Sequence, residues 1–219
     1  MTATRLPADE RRQQLLVVAC DLFARSGFHE TSMDDIAEAA GVTKPVLYQH
    51  FPSKRALYLE LLDDTGRRLL DRLAEATARL TSGRARVEAG FRAYFEFAVG
   101  DRSSFRLLFG TSIRSDVEFA RTVDRILESA ADTISTLIDL PTSEQQRRVI
   151  AYALVGMGES VGRHALGESD PPADGDELAA WIAELAWFGL RGVRADEPVP
   201  RGQARRRSGG PDHPRTPPG

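Results

Sequence analysis

Thr31-Ser32-Met33-Asp34-Asp35-Ile36-Ala37-Glu38-Ala39-Ala40-Gly41-Val42-Thr43-Lys44-Pro45-Val46-Leu47-Tyr48-Gln49-His50-Phe51 is the stretch whose reading decides the fold. Ile36, Ala40, Val42 and Leu47 are apolar at the positions where two short crossed helices must share a core. Ala37 is small where such helices approach closely, and Gly41 stands at the turn, where a side chain is often excluded. Thr31 or Ser32 is the candidate cap of the first helix, which spans about Met33 to Ala40. Thr43 is the candidate cap of the second, with Pro45 in its first turn, where a missing N–H costs nothing. The pattern predicts a helix-turn-helix. His50 stands where an aliphatic residue is usual, and Phe51 is expected to fill that space.

Helical periodicity continues on both sides, without a convincing alternating, strand-like stretch. Upstream, Leu16, Ala19, Cys20 and Phe23 form one stripe of a helix from about Ala8 to Ser26, with Gly27 ending it. Downstream, Ser53 is placed to cap a long helix from Lys54 to about Leu80. Further helices are expected near Arg84–Val99, Ser103–Phe109, Val117–Leu140, Ser143–Leu166 and Gly175–Val193, with a loop over Gly167–Asp174. The expected fold is all-α: a three-helix DNA-binding head over residues 8–53, joined by a long helix to a helical bundle over 54–193. Residues 194–219 lose apolar content, and 201–219 hold five Arg against one Asp, so a disordered tail is expected there.

Composition narrows the function. The net charge is −3, and residues 1–60 hold seven Lys or Arg against eight Asp or Glu. Bulk charge therefore cannot drive nucleic-acid binding; placement must. Only two of the 29 basic residues are lysines, Lys44 and Lys54, and both fall in or just past the motif. No run approaches the roughly 20 apolar residues of a membrane span, no signal-peptide pattern opens the chain, and Cys20 has no partner for an internal disulfide. A cytoplasmic location is the expectation.

Residues 10–60 resemble the N-terminal domain of the TetR family of transcriptional regulators. The resemblance rests on Phe28-His29-Glu30-Thr31-Ser32-Met33-Asp34-Asp35-Ile36-Ala37 and on Gly41-Val42-Thr43-Lys44-Pro45-Val46-Leu47-Tyr48-Gln49-His50-Phe51-Pro52-Ser53-Lys54. It implies a DNA-binding regulator, expected to act as a repressor. A recognition helix needs phosphate donors at its edges and base readers in its N-terminal half. Thr31 and Thr43, at helix starts, suit phosphate, as do Tyr48 and His50 along the helix and the charge of Lys54 just beyond. Lys44 suits guanine O6 or N7, and Gln49 suits adenine. Ser32 and Pro45 complete the expected DNA-facing set. Each residue also has a plain structural alternative: Thr31, Thr43 and Ser53 as caps, Tyr48 and His50 as surface residues packing on Phe51.

The resemblance further implies a small-molecule effector in the bundle, and a dimer. Six of ten phenylalanines cluster between residues 91 and 119, a composition that suits either an apolar ligand or an ordinary core. Phe91, Tyr94, Phe95, Phe105, Leu108, Phe109, Phe119 and Met157 are the candidate pocket residues. Arg102, Arg106 and Arg114 are candidate rim charges for an anionic head group, or solvated surface. Ala153, Gly156 and Ser160, on a helix rich in small residues, and Trp181, Leu185 and Phe188 on the last helix are the candidate dimer contacts. A C2 homodimer would set two recognition helices on a near-palindromic operator. The segments Arg5-Leu6-Pro7, Arg11–Ala19, Lys44–Phe51 and Val155-Gly156-Met157-Gly158 resemble actinobacterial TetR regulators of fatty-acid biosynthesis, which implies a fatty acyl-CoA effector. The alternative is control by a partner protein without a small molecule.

Catalysis finds no support. Gly158-Glu159-Ser160-Val161-Gly162 fits the G-x-S-x-G elbow, but that elbow needs a strand before it, and the flanks here read as one helix. His29, His50, His164 and His213 have no metal-ligand spacing, so neither metal nor cofactor is expected.

Overall fold

Gly27 is the first point where backbone chemistry shapes the molecule. It sits at φ 80°, ψ 169° inside α1 (Ala8–Glu30), a region that favours glycine. The expected helix end at Ser26 is thus corrected to a kink, beyond which one further turn runs to Glu30. The computed structural model describes residues 7–110, 116–167 and 174–193. Among them the elements after α1 are α2 (Met33–Ala39), α3 (Lys44–His50), α4 (Lys54–Thr77), α5 (Gly83–Gly100), α6 (Arg102–Phe109), α7 (Val117–Leu137), α8 (Glu144–Gly167) and α9 (Gly175–Arg191). The fold is all-α, as expected. The expected tail and nearly all of the Gly167–Asp174 loop lie outside the described residues.

The head closes around one apolar stripe per helix. Leu15, Leu16, Ala19, Cys20 and Phe23 of α1 are buried against Ile36 and Ala37 of α2 and Leu47 of α3. Phe51 is 1% exposed and takes the inward place that His50 leaves. Gly41 has φ 65°, and a Cβ added there would meet nothing within 4 Å. The expected reason for this glycine is corrected: the turn needs its backbone dihedral, not the missing side chain's space.

α4 carries the head into the bundle. Ser53 caps it through Ala56 N (3.1 Å), and its buried face runs from Leu57 and Tyr58 to Leu69. Gly66 marks its crossing with α7, since a Cβ there would overlap the Ile126 side chain. α5 packs on α4 and α9, α7 on α4 and α8, and α6 on α1. One core cluster reaches from Leu15 to Ala186, so head and bundle share their interior.

Candidate nucleic-acid interface and effector cavity

α2 and α3 begin differently. Ser32 forms a capping box: its Oγ accepts from Asp35 N (3.1 Å), and Asp35 Oδ2 accepts from Ser32 N (2.8 Å). The backbone and side-chain hydrogen bonds with Ser32 hold the Asp35 carboxyl below the usual aspartate range. Thr43 occupies the cap position of α3, yet its side chain makes no capping bond and is exposed. Thr31 is corrected. It is 3% exposed, and its hydroxyl donates to Gly27 O (2.9 Å), closing the kink of α1 instead of facing outward.

α3 presents Thr43, Lys44, Pro45, Tyr48 and Gln49 to solvent, with His50 half-buried and Leu47 fully buried beneath. Lys44 is not free. Its ammonium lies 2.7 Å from Asp34 Oδ1 and 2.9 Å from Oδ2 across the turn, and the hydrogen bond to Asp34, then that carboxylate's charge, hold its pKa above the ordinary lysine value. Lys54 also has partners within the head. Its Nζ donates to Phe28 O (2.7 Å) and His29 O (3.2 Å) and lies 4.6 Å from the Phe28 ring centroid. The ammonium closes the last turn of α1, a role that needs the donors more than an outward charge.

Two further residues of the head escaped the sequence reading. Arg12 binds Glu60, donates to His50 O (2.7 Å) and stacks 4.5 Å over Phe51, fastening α1, α3 and α4 together. Arg55 donates to Asp116 (2.8 and 2.9 Å) and to Glu118, and lies 4.8 Å over Phe119. The Arg55 hydrogen bonds hold the Asp116 carboxyl below the usual range. Separations of 38 to 63 residues leave no local pattern from which such pairs could be read.

The cavity lies in the bundle, with a volume of about 160 Å³ between α4, α5, α7, α8 and α9. Of the candidate pocket residues, Phe91, Tyr94 and Phe109 stand on its wall. Phe95, Phe105, Leu108, Phe119 and Met157 are corrected, as none of them does. The first four are at most 4% exposed and fill the core, and Met157 packs against that core from its edge. Phe119 belongs to the junction instead, 4.8 Å from Phe28 and 4.5 Å from Tyr58 between ring centroids. Aliphatic side chains that composition could not single out, such as Leu73, Leu127 and Ile134, supply most of the wall.

Polar groups on that wall are mostly satisfied from within. Thr77 donates to Leu73 O (2.9 Å), and Arg86 donates to Leu80 O (2.7 Å) and Leu137 O (3.1 Å). Tyr94 differs: its phenol oxygen is buried without a partner, and burial, then the charge of Glu159, pushes its pKa well up. Arg86 is the basic residue on the lining. Arg102 and Arg106, expected at the rim, are absent from it, and Arg114 lies outside the described residues. A second hollow of about 330 Å³ adjoins the cavity, with Leu127, Val155 and Glu159 lining both.

Among the described residues nothing covers the outer faces of α8 and α9. Val149, Tyr152, Ala153, Gly156 and Ser160 form one exposed stripe. Trp181, Leu185 and Phe188 form another, at 60%, 63% and 58% exposure. Ser160 sits mid-helix on this surface, with no strand before it.

Comparison with known proteins places the whole arrangement. Residues 15–61 match the bacterial regulatory proteins of the tetR family, and residues 84–189 match the tetracyclin repressor-like C-terminal domain. The HTH-type transcriptional activator FasR of Mycolicibacterium smegmatis is 37% identical over 191 residues, covering 86% of this chain and 87% of FasR. The chain belongs to the TetR family. It is a helix-turn-helix DNA-binding transcriptional regulator, not an enzyme. The crystal structure of a TetR-like regulator from Rhodococcus sp. RHA1 superposes with a TM-score of 0.71 at 34% identity, over 86% of this chain and all of that one. FadR from Bacillus subtilis, solved in complex with stearoyl-CoA, shares the fold with a TM-score of 0.70 at 17% identity, over 83% of this chain and 99% of that one. As a TetR regulator the chain acts on operator DNA, and among the described residues no helix is long and apolar enough to cross a membrane.

Proposed function

We propose that the chain works as a homodimer on a near-palindromic operator and that a fatty acyl-CoA, bound in the bundle, tunes its grip. In this reading residues 8–53 are the DNA head and 54–193 the effector and dimer body, acting in the cytoplasm. The DNA face comprises Ser32, Thr43, Lys44, Pro45, Tyr48, Gln49 and His50. Thr31 contributes through its backbone alone, and Lys54 by holding the end of α1 in place.

The observation that carries the effector reading is the apolar cavity, whose wall offers little to a polar ligand and an extended lining to an acyl chain. The 37% identical relative is named for transcriptional activation, and a protein of the same fold is solved with stearoyl-CoA. The second agrees with an acyl thioester. Repression was the expectation; with an activator among the relatives, the sign is assigned to where the operator lies relative to the promoter.

The dimer rests on the α8 and α9 stripes. Large apolar side chains this exposed, in contiguous rows, are uncommon on a monomer and mark an interaction face. Covering them with a second copy would bury Trp181, Leu185 and Phe188 and set two α3 helices on one side of a duplex.

Thermal denaturation with acyl-CoAs of increasing chain length, and with free coenzyme A, tests the effector. The expected result is stabilisation that grows with chain length, is absent for coenzyme A, and accompanies a change in operator affinity. No stabilisation at any length would remove the acyl-CoA reading and leave control by a partner protein.

A further inference from the structure

The described cations of the head all have partners. Of the six described between residues 7 and 60, Arg11 donates to Gln14 and Arg25 pairs with Asp21. Arg12 holds Glu60 and the end of α3, Lys54 holds the end of α1, and Arg55 holds α7. That leaves Lys44, the basic residue on the exposed side of α3, and its counter-ion belongs to the other motif helix. Asp34 is not needed to begin α2, because Ser32 and Asp35 do that between them. Both members of the Lys44–Asp34 pair are exposed, at 55% and 63% of their side chains, where an ion pair adds little to folding.

We propose that Asp34 is a specificity-determining residue that acts through Lys44, fixing the ammonium over the start of α3 and neutralising it until a base acceptor is met. The inference rests on reading Lys44 as a base contact. An ammonium carries three N–H donors. One donates to Asp34 Oδ2, with Oδ1 2.7 Å away, which leaves a donor to spare on a side chain that would otherwise rotate freely. Guanine O6 or N7 can accept that remaining donor while the carboxylate stays bound, so the contact adds a hydrogen bond at no electrostatic loss. A phosphate attracts the whole charge instead. Capturing it would trade one anion for another and leave the Asp34 carboxylate bare against an anionic duplex. Lys44 is thereby steered from phosphates, which occur at every site, towards a base edge, which does not. A head with no surplus of free positive charge gains specificity this way without general affinity for DNA.

The test uses the full chain, a duplex it selects from a randomised library, and a scrambled duplex of equal length, titrated across salt concentrations. Asp34→Asn should bind the scrambled duplex more tightly, with a log–log salt slope steeper by about 0.9, as for one further phosphate neutralised. The ratio of selected to scrambled affinity should fall about tenfold, the size of one base contact. Asp34→Glu, which keeps the charge, should retain most of the ratio. In a Lys44→Met background, Asp34→Asn should change neither ratio nor slope. Persistence of either effect there would show Asp34 repelling phosphates directly and would overturn the proposal. So would an unchanged ratio and slope in Asp34→Asn itself, with the thermal midpoint confirming that each variant folds. Lys44→Met alone tests the underlying reading: an unchanged ratio would remove Lys44 as a base reader.

Discussion

The head and the outer face of the bundle treat their surfaces in opposite ways. On the head, charged side chains are spent on named partners: Arg12 on Glu60 and His50 O, Lys54 on Phe28 O and His29 O, Lys44 on Asp34. On α9, Trp181, Leu185 and Phe188 stand more than half exposed among the described residues. The first surface is finished and specific, fit to meet a polyanion by placement and not by net charge. The second is unfinished, and apolar area of that kind is stable in water only when something covers it. In the proposed reading the chain therefore contacts DNA through fixed polar geometry and a second copy through area.

The sharpest way to break this contrast is to make the second surface polar. Trp181→Glu combined with Phe188→Glu should leave the monomer folded, since both side chains already face water, while sedimentation reports loss of the dimer. Operator affinity should then fall by about 10²–10⁴-fold, the gain that linking two half-site contacts provides. A double variant that stayed dimeric and bound the operator as tightly would show that the stripe is not the interface.

Between the two surfaces lies the junction, and it should fail through packing before charge. Phe119 is 1% exposed and touches Phe28 and Tyr58, so Phe119→Ala should cost about 3–5 kcal/mol in denaturant unfolding. The Arg55–Asp116 pair beside it gives a pH signature whose sign is fixed. Asp116 is held below its ordinary pKa by Arg55, so its contribution is present above the unfolded value near 3.9 and is lost as pH falls through the lower folded value. Acid unfolding of Arg55→Gln should therefore depend less on pH in that range than acid unfolding of the unaltered chain. An identical pH dependence would remove Asp116 from the junction's energetics.

How much of this was legible depends on how far apart the partners are in sequence. The helices of the head were readable because their signals are local: a cap at Ser32, a glycine at Gly41, a proline in the first turn of α3. The kink at Gly27 was half legible, as a break without its continuation. The outward hydroxyl expected of Thr31 failed, and the inward bonds of Lys54 went unseen, for one shared reason. Each satisfies a carbonyl at the end of α1, and no spacing rule says which backbone oxygen a long or short polar side chain will reach. The cavity was least legible. Aromatic clustering between residues 91 and 119 found Phe91, Tyr94 and Phe109, but it drew in Phe95, Phe105 and Phe119, because composition cannot separate an aromatic that lines a space from one that fills it. Leu73, Leu127 and Ile134 are ordinary core residues by pattern and become wall only once three helices are placed around them.

Two hydroxyl residues, one at the start of each motif helix, give the finest form of the comparison. Ser32 and Thr43 both precede motif helices, and both read as caps, yet only Ser32 accepts a backbone N–H. Ser32→Ala should therefore lower stability by about 1 kcal/mol, as removal of an engaged cap does, while Asp35 stays below its ordinary pKa because the backbone N–H at position 32 still donates to it. Thr43→Ala removes no bond from the free protein, so its thermal midpoint should move by less than the equivalent of about 0.5 kcal/mol. Its operator affinity should still drop for selected and scrambled duplexes alike, since a hydroxyl left free at the start of α3 is placed for a phosphate and not for a base. Stability loss in Thr43→Ala equal to that in Ser32→Ala, with DNA affinity unchanged, would make Thr43 an ordinary cap and return its hydroxyl to the fold.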